Sequence, residues 1–312
     1  MHVSLEERLK TISELVSENG LLELVEMIWK NDRLFTYPAF HATARQTAAK
    51  LREWGVRART FEIPADGKTM MGDWKMPLGW NCKGATLEIY EPFEERGRVL
   101  ADWKKRPCHV VMWSGPTPPE GLTAKVIKIA DKNELLARLE EVKGKIVLTS
   151  SNPRDFKKLL VDAGALAVVS CWCRDAHHNA DAVFWINGWS DDPGGWAFHV
   201  GDTPFPGMVI TPEDGVELEI LMDRGPVKLR MKIDSEYMES TLPLVCGYID
   251  APLQEEVLAI GHAMEQGAND NATGCAVILE SLRVLQDATQ KGALPPLKRA
   301  VRGILSNECY GT

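Results

Sequence analysis

The stretch GHAMEQGANDNATG, residues 261–274, decides how the rest of the chain is read. Ahead of it, residues 256–261 form an apolar run of strand length. Behind it, residues 273–289 carry Val277, Ile278, Leu282 and Leu285 on one helical face, and residues 300–306 read as a further strand. Strand, loop, helix and strand in that order place the loop beyond the carboxyl end of a strand, where open α/β sheets form their sites. His262 stands at that end, with Asp270 in the loop. A lone histidine after a strand, or a lone aspartate in a turn, is more often structural. Brought together by a Gly- and Asn-rich turn, the pair can supply nitrogen and oxygen ligands to zinc. Gly267 is expected to allow unusual backbone angles, Asn271 to hold the loop through side-chain-to-backbone bonds, and Gly274 to let the helix start approach its neighbours.

Working outward, residues 242–249 form a strand joined to 256–261 by a turn at 250–252, which suits a mixed sheet with helices on its faces. Toward the amino terminus, residues 5–31 have apolar positions at helical spacing with a break at Asn19-Gly20. A third helix covers residues 39–54, and residues 56–64 alternate as a half-buried strand. Residues 74–89 read as a loop-rich connection entering a strand at 85–90. From about residue 95 the texture changes to short strands at 109–113, 124–129, 145–150, 165–171, 207–210 and 227–233, with short helices at 132–142 and 153–164. Residues 181–201 concentrate three tryptophans and two phenylalanines among turn residues. A packed surface hairpin is the reading favoured there over a ligand-contacting loop.

The 312 residues suffice for two domains, and 45% apolar residues is an ordinary globular share. A net charge of −8 argues against a nucleic-acid partner. Glu6, Glu7 and Arg8 interrupt any leader-like apolar run, and no run reaches the length of a membrane span. Seven scattered cysteines show no disulfide framework, so a cytoplasmic location is expected. Cys171-Trp-Cys173, with His177 and His178 nearby, has zinc-binding chemistry, yet buried packing is the stronger reading for those thiols.

His262, then Gly-Ala-Asn-Asp270-Asn-Ala-Thr-Gly274, then an apolar strand ending in Glu308, resembles the co-catalytic zinc aminopeptidase family that includes bacterial leucyl aminopeptidases and glutamate carboxypeptidases. The strings EVKGKIVLTS, FKKLLVDAGALAVVS and FPGMVITPEDGVELEILMDRGPVKLRMKI resemble, over residues 121–233, the β-rich protease-associated domain that such enzymes carry as an insert. The resemblance implies an α/β fold with a mixed-sheet zinc-exopeptidase core at residues 1–95 and 236–312, and the insert at 96–235. It implies two zinc ions in a complete site, with His262 binding one and Asp270 bridging both. It implies hydrolysis of peptides at their amino end, and peptide substrates; a homo-oligomer is compatible with it.

Three departures from the family pattern stand out. The family has two adjacent glutamates after the strand, one the general base toward the attacking water and the other a ligand; here only Glu308 follows Asn307. Anchored on Gly311 it is the base, and anchored on the second place of the pair it is a metal ligand; the base is the preferred assignment. The family's supporting aspartate two residues after the histidine is replaced by Met264, with Glu265 next to it as a substitute. The family's later aspartate and histidine ligands have no counterpart before Thr312. The chain is therefore expected to be an amino-terminal portion, inactive alone, with exposed apolar surface around residues 300–306. The rival expectation is a non-catalytic binding protein on a degenerate scaffold.

Overall fold

The computed structural model describes residues 4–307, with only the backbone at Gln254. The chain forms two compact units, one from residues 1–64 and 241–312 and the other from residues 65–240. The junctions thus fall at 64/65 and 240/241 instead of the expected 95/96 and 235/236. The reason lies in a long strand pairing described below, which draws residues 79–91 into the second unit.

In the first unit, α1 (Leu5–Leu15) and α2 (Glu18–Asp32) are separated at Val16-Ser17 and not at Asn19-Gly20. Ser17 supplies the break: its side chain accepts the Gly20 N–H at 3.0 Å and caps α2, so Asn19 and Gly20 fall inside the first helical turn. Helix α3 (Tyr37–Glu53) leads into β1 (Arg57–Ala65).

The second unit runs through β2 (Met70–Met71), β3 (Trp74–Lys75), β4 (Gly79–Glu91), β5 (Val99–Asp102) and β6 (Leu122–Lys128). It continues with α4 (Lys132–Ala137), β7 (Ile146–Thr149), α5 (Lys157–Asp162), β8 (Ala167–Ser170), β9 (Gly207–Val209), α6 (Pro212–Arg224) and β10 (Lys228–Met238). Its sheet has seven strands in the order β5-β4-β10-β6-β7-β8-β9, antiparallel from β5 to β6 and parallel from β6 to β9. The segment read from sequence as loop-rich is largely β4. It pairs with β10 along its whole length, burying Trp80, Cys82, Ala85, Leu87 and Ile89. Long-range pairing with a partner about 140 residues away overrides the local proline and glycine signals. Residues 109–113 form no strand; a 3₁₀ turn at Pro107–His109 and a left-handed Trp113 (φ 62°) interrupt them. The aromatic stretch 181–201 is packed: Trp189 is fully buried, donates from Nε1 to the Phe205 carbonyl at 2.6 Å and stacks on the Phe205 ring.

The chain then returns to the first unit with β11 (Ser240–Ile249), β12 (Leu253–Ala263), α7 (Ala272–Gln290) and β13 (Arg299–Asn307). The four strands lie in the order β1-β11-β13-β12, with β13 antiparallel to β11 and parallel to β12. The apolar face of α7 buries Ile278, Leu279 and Leu282, side chains that each contribute roughly 1.5–3 kcal/mol when removed from water. Edge strand β12 leaves Val257, Leu258 and Ile260 about half exposed, the apolar surface expected next to residues 300–306. Among the described residues no helix is long and apolar enough to cross a membrane.

Candidate metal centre

Strand β12 delivers His262 to the end of the sheet, where Ser306 of β13 lies opposite it in register. A short loop then reaches the start of α7. Asn271 caps that helix by accepting the Gly274 N–H at 3.2 Å, and Thr273 ties the loop by donating to the Asn269 carbonyl at 2.6 Å. The glycines serve close approach, not unusual angles. A Cβ on Gly267 would sit 2.4 Å from the Asp270 carbonyl oxygen, and one on Gly274 would sit 2.1 Å from Asn271 Oδ1. Gly274 thus makes room for the capping side chain of its own loop. The Asp270–Asn271 peptide is cis.

These constraints gather three donors. His262 Nε2 lies 3.4 Å from Asp270 Oδ1, and His262 Nδ1 lies 3.3 Å from Glu265 Oε2. Donor atoms of His262, Glu265 and Asp270 all fall within 4.8 Å of one another, the one such cluster among the described residues. Asp270 is 72% exposed, whereas Glu265 is 12% exposed. The two ring nitrogens therefore face different surroundings, Nε2 toward an open carboxylate and Nδ1 toward a nearly enclosed one. A carboxylate beside one imidazole nitrogen fixes the tautomer and leaves the other nitrogen free to bind metal. The donor chemistry fits zinc, and His262 Nδ1 is a buried atom with no hydrogen-bond partner among the described residues, although Glu265 Oε2 lies 3.3 Å away.

Glu308, the candidate base or ligand, lies outside the described residues. Strand β13 carries the chain to Asn307, opposite Ala263 and at the same end of the sheet as His262. The Asn307 side chain is buried, and among the described residues its amide atoms have no hydrogen-bond partner. The Cys171 and His177 group does not assemble. Strand β8 stops at Ser170, Cys171 Sγ packs against the Thr149 carbonyl at 3.4 Å, and burial pushes its thiol up to about 11. Cys173 lies against the Arg174 carbonyl, and His178 beside Asp175.

One participant is absent from any reading of the motif. Asp32, the last residue of α2, is 1% exposed. Its Oδ2 accepts the Met264 N–H at 2.8 Å and its Oδ1 accepts the Thr43 hydroxyl at 2.5 Å. Burial pushes its carboxyl up to about 7 against the pull of those two bonds. A carboxylate at a helix carboxyl end opposes the helix dipole, and that anomaly was the available signal in the sequence.

Residues 235–305 match the model of Peptidase family M28. Carboxypeptidase Q of Xenopus laevis is 27% identical over 228 residues, covering 69% of this chain and 47% of the relative. The Bos taurus carboxypeptidase Q is 26% identical over 251 residues, 72% of this chain and 51% of the relative. The chain thus spans about half the length of the curated relatives it matches. Among solved structures, a peptidase M28 precursor from Shewanella amazonensis superposes with a TM-score of 0.60 at 19% identity, covering 95% of this chain and 65% of that one. A zinc aminopeptidase from Bacillus subtilis gives a TM-score of 0.55 at 18% identity, covering 93% and 61%. The mixed α/β fold is that of these M28 peptidase structures.

Proposed function

We propose that this chain, whose residues 235–305 carry peptidase family M28 and which is distantly homologous to carboxypeptidase Q and bacterial zinc aminopeptidases, contributes the histidine-and-aspartate part of a zinc exopeptidase centre. The observation that carries the reading is the 3.4 Å approach of His262 Nε2 to Asp270 Oδ1, with Glu265 on the far side of the ring. Members of this family are co-catalytic zinc peptidases. In this reading His262 and Asp270 hold zinc, and residues 65–240 are the protease-associated insert, supplying no chemistry of their own. Zinc at such a site supplies a Lewis acid for the scissile carbonyl and lowers the pKa of water. Glu265, whose Oε2 lies 3.3 Å from His262 Nδ1, would orient the ring so that Nε2 faces the metal. Glu308 takes the proton from the attacking water, or serves as a further donor.

The preferred substrate is a peptide cleaved at its amino end, in line with the zinc aminopeptidases that share the fold. Cleavage at the carboxyl end is the second reading, favoured by the name of the curated relatives. The test is zinc titration of the chain, which is expected to bind metal without cleaving peptides, together with cleavage of peptides blocked at one end or the other by the protein at the full length of its relatives. We expect at least one equivalent of zinc, and loss of binding in His262→Ala and Asp270→Ala. A folded chain that binds none would sink the metal reading and leave a non-catalytic scaffold. If cleavage persists on amino-blocked peptides and stops on carboxyl-blocked ones, the second reading replaces the first.

A further inference from the structure

We propose that Asp32 is a positioning residue of this metal centre: its buried carboxylate pins the backbone at Met264 and so sets the directions of His262 and Glu265. The inference rests on the reading of His262 and Asp270 as zinc donors. Met264 lies between two of the three clustered side chains and has φ 70°, a left-handed conformation that is unfavourable for a non-glycine residue. Something outside the loop must hold it there. The Met264 N–H points at Asp32 Oδ2 at 2.8 Å, in a buried setting, from a helix 232 residues earlier in the chain. Thr43 of α3 fixes the other oxygen.

The choice of a carboxylate is itself informative. Among the described residues no lysine, arginine or histidine forms an ion pair with Asp32, although it is fully enclosed. A buried unpaired carboxylate is costly, and a neutral residue would suffice if only core filling were needed. Burial pushes the Cys275 thiol up to about 12, and the charge of Asp32 pushes it the same way; that thiol lies 3.2 Å from the His262 carbonyl. Glu265 follows Met264 directly. If Met264 relaxed to negative φ, the chain direction at Glu265 would change, and its approach to His262 Nδ1 with it.

The experiment measures the zinc dissociation constant of the 312-residue chain by competition with a chromophoric chelator, with circular dichroism to confirm folding. Asp32→Ala is expected to bind zinc about 10- to 100-fold more weakly, the range typical of residues that orient metal ligands. Asp32→Leu fills the same space without an acceptor and should show the same loss if the alanine variant fails to fold. Leu24→Ala removes a buried side chain of α2 and should leave affinity within about threefold. Met264→Gly in the Asp32→Leu background should restore most of the affinity, because glycine holds positive φ without an external anchor. The proposal is overturned if both Asp32 variants bind as the unmutated chain does, if Leu24→Ala weakens binding equally, or if glycine gives no recovery. Failure of the unmutated chain to bind zinc would instead overturn the metal reading, and this proposal with it.

Discussion

Among the described residues, the most deeply buried charged side chain of each unit is 1% exposed, and the two are handled in opposite ways. In the unit of residues 65–240, the Lys157 ammonium is enclosed and meets Asp191, whose oxygens also accept the Thr203 N–H at 3.1 Å and the Thr203 hydroxyl at 2.9 Å. Asp202 continues the network by accepting the Asp191 and His199 N–H groups at 2.9 and 2.7 Å. In the other unit Asp32 has two neutral donors and, among the described residues, no cation. A compensated buried charge fixes a loop. An uncompensated one holds the backbone between two of the clustered metal donors through its bond to the Met264 N–H.

The sharpest way to break the comparison is to uncompensate Lys157. Asp191→Ala strands an enclosed ammonium and removes the acceptor for Thr203, and losing one partner of a buried pair costs roughly 3–5 kcal/mol. Urea unfolding should show that loss. A cost below about 1 kcal/mol would mean that water reaches Lys157 and that the two sites differ less than their burial implies.

Asp32 should respond with the other sign. Its folded-state carboxyl is held near 7, above its ordinary 3.8, so the folded chain binds that proton more tightly than the unfolded one. Stability from this group is full below about pH 4, falls as pH rises through 7, and is level above. Asp32→Asn removes the ionisation. With metal stripped by chelator, the variant should therefore gain on the unmutated chain between pH 4 and pH 8, by about 4 kcal/mol at most. A difference that stays flat with pH would show that the carboxylate is solvated or paired.

Glu265 tests the division of labour around His262. Glu265→Gln keeps the volume and removes the charge beside Nδ1, and zinc affinity should fall about tenfold, or about 1.4 kcal/mol. Unfolding in chelator should move far less. Equal changes in both would make Glu265 a packing residue.

Much of the first unit was legible because its signals are local. Residues 273–289 and 300–306 have the periodicity of the α7 and β13 found there, and His262 and Asp270 meet as the loop chemistry implied. Residues 85–90 of β4 were legible as a strand, but its first half was hidden because its hydrogen bonds are supplied by β10 and its own run is broken by Gly79, Lys83 and Gly84. Gly267 was expected to allow unusual angles and instead avoids a close contact that exists only in the folded loop, whereas Gly274 was expected to permit close approach and does. Asp32 could not be linked to the site by spacing, because its partner Met264 is 232 residues away.

Glu280 offers the smallest effect and the cleanest contrast, since it is a second buried carboxylate in the same unit as Asp32. It accepts two bonds from Arg283, at 2.7 and 2.6 Å, and the Ser17 N–H at 2.8 Å. Burial pushes its carboxyl up, but the bonds from Arg283 and Ser17 outweigh burial and hold it below the ordinary value. Its contribution is therefore present above the ordinary carboxylate range and lost as pH falls through it, the reverse of Asp32. Glu280→Gln should cost about 1 kcal/mol at pH 7, with the difference shrinking toward pH 3 in parallel urea titrations. If both glutamine and asparagine variants showed the same pH slope, compensation by Arg283 would not be what separates the two carboxylates. The contrast between a cation-paired carboxylate and one held only by the Met264 N–H and the Thr43 hydroxyl would then lose its internal control.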